Sequence, residues 1–193
     1  MASSSKGKVI RRADPSTIHD KLLVGYQGWF TCGGDGEPVG PGHHGWLHWF
    51  NYPVSDGGRP NMDLWPDVSE YTPSELFPAP GVKYENGEQA FLFSSRHPKT
   101  VQRHFNMMAM HGVDGAFLQR FVGQCDVDQG NEGIRRIRDE VGDRVVEAAQ
   151  QEGRVFAIMC VFFPAVCCSI LKLSGIRGVG TMSPVSLKTV SSV

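Results

Sequence analysis

Apolar positions along the chain fall into three short runs separated by stretches of helical period. Lys21 to Phe30, KLLVGYQGWF, starts apolar and passes into glycine and aromatics, the pattern of a buried strand whose C-terminal end opens into a loop. Val113 to Phe121, VDGAFLQRF, and Arg154 to Met159, RVFAIM, are the second and third runs. Between them, Pro98 suits the first turn of a helix, Val101, Phe105 and Met108 recur at i, i+4 and i+7, and Gly112 supplies the stop. A longer helix is predicted over about Asn131 to Glu152, with Ile134, Ile137, Val141, Val145 and Ala148 on one stripe and Gly153 closing it. Ala90 to Ser94 predicts one more short strand. The order strand, helix, strand, helix, strand predicts an α/β fold in which two βα units feed a third strand of a parallel sheet. Residues 31 to 89 show no sustained helical period and read as a long loop after the first strand, and loops of that length inside a compact domain are usually either functional or mis-assigned.

The length of 193 residues suits one ordinary domain, and 40% apolar content is globular. A net charge of −1 and the lack of a basic stripe exclude nucleic acid as the expected partner. Cysteines at 32, 125, 160, 167 and 168 form no CxxC pair and are odd in number, which predicts reduced thiols. The first 20 residues lack an apolar core for a secretory signal, so a cytoplasmic protein is expected. The predicted division is an N-terminal extension over 1–20, a βα domain over 21–160 and an atypical tail over 161–193. The tail is foreign in composition: after Glu152 no Asp or Glu occurs in residues 153–193. Val155 to Leu171 is uncharged and is the one candidate membrane span, but Pro164 and its β-branched residues favour a buried strand from Val155 to Met159. A membrane partner is not expected.

In parallel α/β sheets ligands bind where strands end and βα loops begin. That rule selects Gln27, Trp29 and Phe30 after the first strand, the 31–89 excursion, and Gln119 with Arg120 at the end of the second. Asp114 enters the second strand at its opposite end and reads as a structural cap. Two clusters stand out in the excursion: His43, His44, Trp46, His48 and Trp49, and then Asp63, Trp65, Asp67 and Glu70. Flat indole faces stack on sugar C–H surfaces while carboxylates and amides bond hydroxyls, and paired carboxylates are what glycoside hydrolysis requires. The bland alternative is that the aromatics pack a long loop onto the sheet and the carboxylates cap turns. His44 and His48 with His43 or Cys32 have the count for zinc, but Gly45 and the loop context do not favour the helix such spacing exploits, and no metal is expected. Gly33, Gly34 and Gly36 are a turn signal and lack the order of a phosphate-binding loop.

GYQGWF with CGGDG, GWLHWF, DLWPDVSEY, LFSS, TVQRHFNMM, GVDGAFLQRF and RVFAIM together resemble the start of glycoside-hydrolase-like proteins related to glycoside hydrolase families 71 and 99, often described as xylosidase/arabinosidase-like. The likeness spans about Leu22 to Met159. It implies the first three strands of a (β/α)8 TIM-type barrel, a carbohydrate partner at its top and no organic cofactor. A whole barrel takes about 250 residues, so this chain is expected to hold only part of one. The substrate-binding positions implied are Gln27, Trp29, Trp46, His48, Asp63, Trp65, Asp67, Gln119 and Arg120. The family's acid/base carboxylates come from later strands, and after RVFAIM this chain departs from the family pattern at Cys160-Val161-Phe162. The expectation is therefore hydrolysis of O-glycosidic bonds by a full-length relative, with this chain truncated and inactive. The alternatives are a non-catalytic carbohydrate-binding protein or a truncated product without independent function.

Overall fold

The computed structural model describes residues 10–40, 43–125 and 132–161. Its elements are β1 (Leu23–Tyr26), β2 (Leu76–Lys83), β3 (Gln89–Phe93), α1 (Pro98–Met110), β4 (Gly115–Phe121), the single turn α2 (Val122–Cys125), α3 (Glu132–Glu152) and β5 (Val155–Val161). β1, β4 and β5 form a parallel sheet in that order, with Leu23 beside Gly115 and Gly115 beside Val155. The expected mixed α/β class with a parallel three-stranded sheet is what the chain adopts.

Successive side chains of a strand point to opposite faces. Ala116 and Leu118 of β4 are buried with Val101 and Phe105 of α1 and with Val141, Val145, Ala148 and Ala149 of α3. Tyr26 of β1 and Phe156 of β5 pack against the same cluster. Both helices therefore cover one face of the sheet, and Gly115, Phe117, Gln119 and Phe121 belong to the other. Phe105 is fully buried, which is worth about 1.5–3 kcal/mol of transfer free energy. Each long helix ends at the predicted glycine: Gly112 at φ +77° and Gly153 at φ +61° take the left-handed conformation that a side chain resists. At the lower end of the sheet, Asp114 accepts a hydrogen bond from the Leu22 amide at 3.0 Å, as a cap should. Residues 10–20 contain no helix or strand and lie along this end, where the Ala13 amide bonds the Gly153 carbonyl at 2.8 Å and Arg12 bonds the Gln150 carbonyl at 2.7 Å.

The excursion is more ordered than its composition suggested. Residues 31–89, expected as loop, contain β2, which pairs antiparallel with β3 from Leu76↔Phe93 to Lys83↔Gln89 through an irregular step after Pro78. The excursion has its own core of Cys32, Trp49, Phe50, Ala79, Ala90 and Leu92. Two arginines, with three ion pairs between them, fasten it to the βα layers. Arg96 reaches Asp35 at 2.9 Å and Glu140 of α3 at 2.8 Å, and Arg103 of α1 forks onto Glu75 at 2.7 and 3.2 Å. Gly36 sits against the first of these, because a Cβ there would stand 2.6 Å from the Arg96 guanidinium. A second correction is α2, which occupies the start of a stretch expected to be loop.

Val155–Val161 is the third parallel strand, with Val155 and Ala157 buried and Met159 exposed. The rest of the proposed tail, and of the apolar run to Leu171, lies outside the described residues. Among those described, no helix is long and apolar enough to cross a membrane.

Candidate functional site

The C-terminal ends of β1 and β4 open onto a cavity of ≈ 420 Å³ lined by Gly25, Tyr26, Gln27, Phe30, Phe93, Ser95, His104 and Gln119 among others. Gln27 lies one residue beyond the Tyr26↔Leu118 pair, which brings it level with Gln119. Its amide donates to the Gln119 carbonyl oxygen at 2.7 Å. That bond leaves Gln27 its own carbonyl oxygen and leaves Gln119 an amide NH2, so the pair offers an acceptor beside donors. A vicinal pair of hydroxyls, each both donor and acceptor, matches such an edge.

Phe30 also lines a second cavity of ≈ 340 Å³, shared with Trp29, His48, Trp49, Met62 and Leu64. Here the Trp29 ring stacks on the His48 imidazole at 4.1 Å and 11°, with Phe121 parallel on Trp29 at 6.0 Å. The Arg138 guanidinium stands 5.8 Å from the Trp29 ring. His48 takes φ +64°, a backbone conformation a histidine adopts only where its surroundings enforce it. Burial, then the Arg138 charge, holds its imidazole down at about 4, so it is neutral at pH 7 and presents an uncharged aromatic edge.

Beneath the first cavity lies a group that strand-end reasoning did not single out. The Tyr26 hydroxyl is 3.0 Å from His104 Nδ1, and the Tyr71 hydroxyl is 2.7 Å from His104 Nε2. Burial, reinforced by Arg103, lowers His104 to about 4, and burial pushes Tyr71 up to about 12. Tyr71 in turn stacks on Phe93 at 5.3 Å and lies under Arg103 at 5.1 Å. One signal for His104 existed: it falls at i+3 on the stripe Val101, Phe105, Met108, a polar residue among core positions.

The remaining expected positions are distributed differently. Arg120 follows Gln119 in β4 and so turns to the helix side, where it pairs with Asp139 at 3.1 Å; it does not share the cavity. Trp46 packs edge-on to Phe50 at 5.8 Å, and Trp65 donates to the Phe91 carbonyl at 3.1 Å; both belong to the core of the excursion. Asp67 is exposed and accepts from the Ser69 amide at 2.9 Å, an Asx turn. Asp63 is exposed too. The glycines of CGGDG belong to a turn in which the Asp35 carboxylate takes the Cys32 amide at 2.7 Å and the Asp35 amide bonds the Cys32 carbonyl at 3.1 Å. Among the described residues no group of three or more His, Cys, Asp or Glu is arranged to hold a metal ion.

The chemistry available is thus amide, hydroxyl and aromatic: directional hydrogen bonding beside flat apolar faces. Among the described residues lining the two cavities there is no carboxylate. No family model matches the sequence, and it matches no curated protein and no solved structure.

Proposed function

We propose that the chain is the opening part of a (β/α)8 barrel of glycoside-hydrolase type, and that its strand ends bind an uncharged carbohydrate. The observation that carries the reading is the Gln27–Gln119 amide pair at the C-terminal ends of two parallel strands, beside the Trp29–His48 stack. The arrangement of layers supports the barrel. Strands in sequential order with both long helices on one face are the repeating geometry of a singly wound sheet, whereas a doubly wound sheet reverses strand order and places helices on both faces. Gly25, Phe117 and Gln119 would then point to the barrel interior.

Hydrolysis of an O-glycosidic bond requires an acid and a second carboxylate about 5–9.5 Å apart. Neither cavity supplies them, so this part of the barrel binds and orients the sugar, and the hydrolytic carboxylates belong to later strands of a complete relative. The same lack of carboxylates favours a second reading, a carbohydrate-binding protein without turnover.

Both readings predict retention of neutral oligosaccharides on a glycan array by the folded chain. Gln119→Ala and Trp29→Ala should each weaken retention about 5- to 50-fold, the loss of one to two good contacts. Aryl xylosides, arabinosides, glucosides and mannosides should be bound but not cleaved. A folded chain that retains no glycan would overturn the reading, and cleavage by this chain alone would overturn the division of labour.

A further inference from the structure

Tyr71, His104 and Tyr26 form an unbroken hydrogen-bonded chain from the excursion, through α1, to the cavity. A neutral imidazole has one N–H donor and one acceptor nitrogen, so of two phenols bonded to it one must donate and the other accept. The lengths match one of the two arrangements. The 2.7 Å Tyr71 contact has the length of a bond made by a hydroxyl donor, and the 3.0 Å Tyr26 contact that of an N–H donor. Arg103 over the Tyr71 ring draws charge from that phenol, against the opposing Glu75 and Glu70 carboxylates, whereas among the described residues no cation stands over the Tyr26 ring.

We propose that Tyr71 donates to His104 Nε2, that His104 Nδ1–H donates to Tyr26, and that the Tyr26 hydroxyl hydrogen is thereby freed to donate to an oxygen of a ligand in the cavity. The ligand being a sugar rests on the carbohydrate reading above; the direction of the chain does not. Tyr26 and His104 both line the cavity, and Tyr71 does not. Tyr71 is thus a positioning residue: it fixes the imidazole tautomer, and through it the polarity that the cavity meets. Successive donors polarise one another, so the Tyr26 hydrogen is a stronger donor at the end of the chain than in isolation. With the Gln119 NH2 group it supplies two donor groups toward a ligand that has acceptor oxygens, beside the carbonyl acceptor of Gln27. That balance suits ring and glycosidic oxygens, which accept only, as well as hydroxyls.

The test reads the tautomer directly. Long-range 1H–15N spectra of the full chain labelled at histidine, with the His104 signals assigned by their loss in His104→Gln, should show protonated Nδ1 and bare Nε2 without any ligand. Protonated Nε2 would overturn the proposal, because the Tyr26 hydrogen would then be spent on His104. In Tyr71→Phe, Nε2 loses its donor, so the tautomers should mix and the affinity for the best-bound member of a xylose, arabinose, glucose and mannose oligosaccharide panel should fall about 2- to 10-fold. A folded Tyr71→Phe with unchanged tautomer would also overturn it. If no sugar in the panel binds, the carbohydrate reading fails, while the ligand-free spectrum still decides the chain.

Discussion

Arg96→Met tests how the excursion is held over the sheet. The Arg96 side chain is 5% exposed and its Asp35 partner 4%, whereas Glu140 is 36% exposed. Methionine keeps most of the stem's packing and removes the guanidinium, so the change isolates charge from volume. Breaking a buried pair by removing one partner costs about 3–5 kcal/mol, because the other charge stays buried. Asp35 retains the Ser94 hydroxyl at 2.5 Å and the Cys32 amide at 2.7 Å, which places the loss at the lower end. The half-solvated Glu140 bond adds less than about 1 kcal/mol. The Glu37 carbonyl, at 2.8 Å from Arg96, also loses its donor. The expected total is about 3–4 kcal/mol, a fall in Tm of about 6–16 °C for a chain of this size.

Two probes separate where that loss is felt. All four tryptophans, Trp29, Trp46, Trp49 and Trp65, lie between residues 29 and 65, so fluorescence reports the excursion. Far-UV circular dichroism is dominated by α1 and α3. In Arg96→Met the fluorescence transition should move to lower denaturant than the dichroism transition. Adding Asp35→Asn removes the stranded charge and should restore more than half of the loss. A loss below about 1 kcal/mol, or a double variant no more stable than the single, would refute a buried charge as the fastening.

Two further outcomes follow from other positions. His104 titrates near 4 in the folded chain against about 6.5 for a free imidazole, so between those pH values the unfolded chain binds a proton that the folded one does not; stability should fall as pH drops from 6.5 to 4, by up to about 3 kcal/mol from this residue, and His104→Gln should flatten that slope in denaturant midpoints read at pH 7, 5.5 and 4.5 while leaving the share of His48, which is also held at about 4. Gly28 is buried at φ +56° and a Cβ there would stand 2.5 Å from the Val141 side chain, so Gly28→Ala should cost about 2–5 kcal/mol, while Gly87→Ala, at φ +84° in open space, should cost about 1–2; equal losses at the two sites would show that backbone conformation alone sets the cost.

The βα layers were legible because burial imposes periods. α1 and α3 each bury one stripe, so their apolar residues recur at helical spacing, and Gly112 and Gly153 terminate them through a conformation that glycine alone adopts cheaply. β2 was illegible for the opposite reason. Its sequence LFPAPGVK carries two prolines and a glycine, which remove ladder donors and signal turns. A two-stranded ribbon tolerates them because, among the described residues, only one edge of β2 is paired, and Ala79 still buries fully between them. The ribbon is held by contacts distant in sequence, such as the Trp49 indole donating to the Phe93 carbonyl at 2.9 Å, and no local pattern announces these.

The site divides along the same line. Strand direction alone located Gln27 and Gln119 at the same end of the sheet, and parallel register then brought them to 2.7 Å. Arg120 does not join them, by the same rule that places Gln119: side chains alternate, so two neighbours in β4 cannot both reach one face, and Arg120 goes to Asp139. For the tryptophans composition was not decisive. An indole in a long excursion either stacks outward or fills that excursion's core, and a backbone carbonyl within reach of its N–H favours the core. Trp65 and Trp49 each find one on β3, whereas Trp29, between β1 and the cavity, finds flat partners in His48 and Phe121. The aromatic surface is therefore made by the residue that follows the strand, and the tryptophans of the two clusters hold up the loop on which His48 is strained into place beside it.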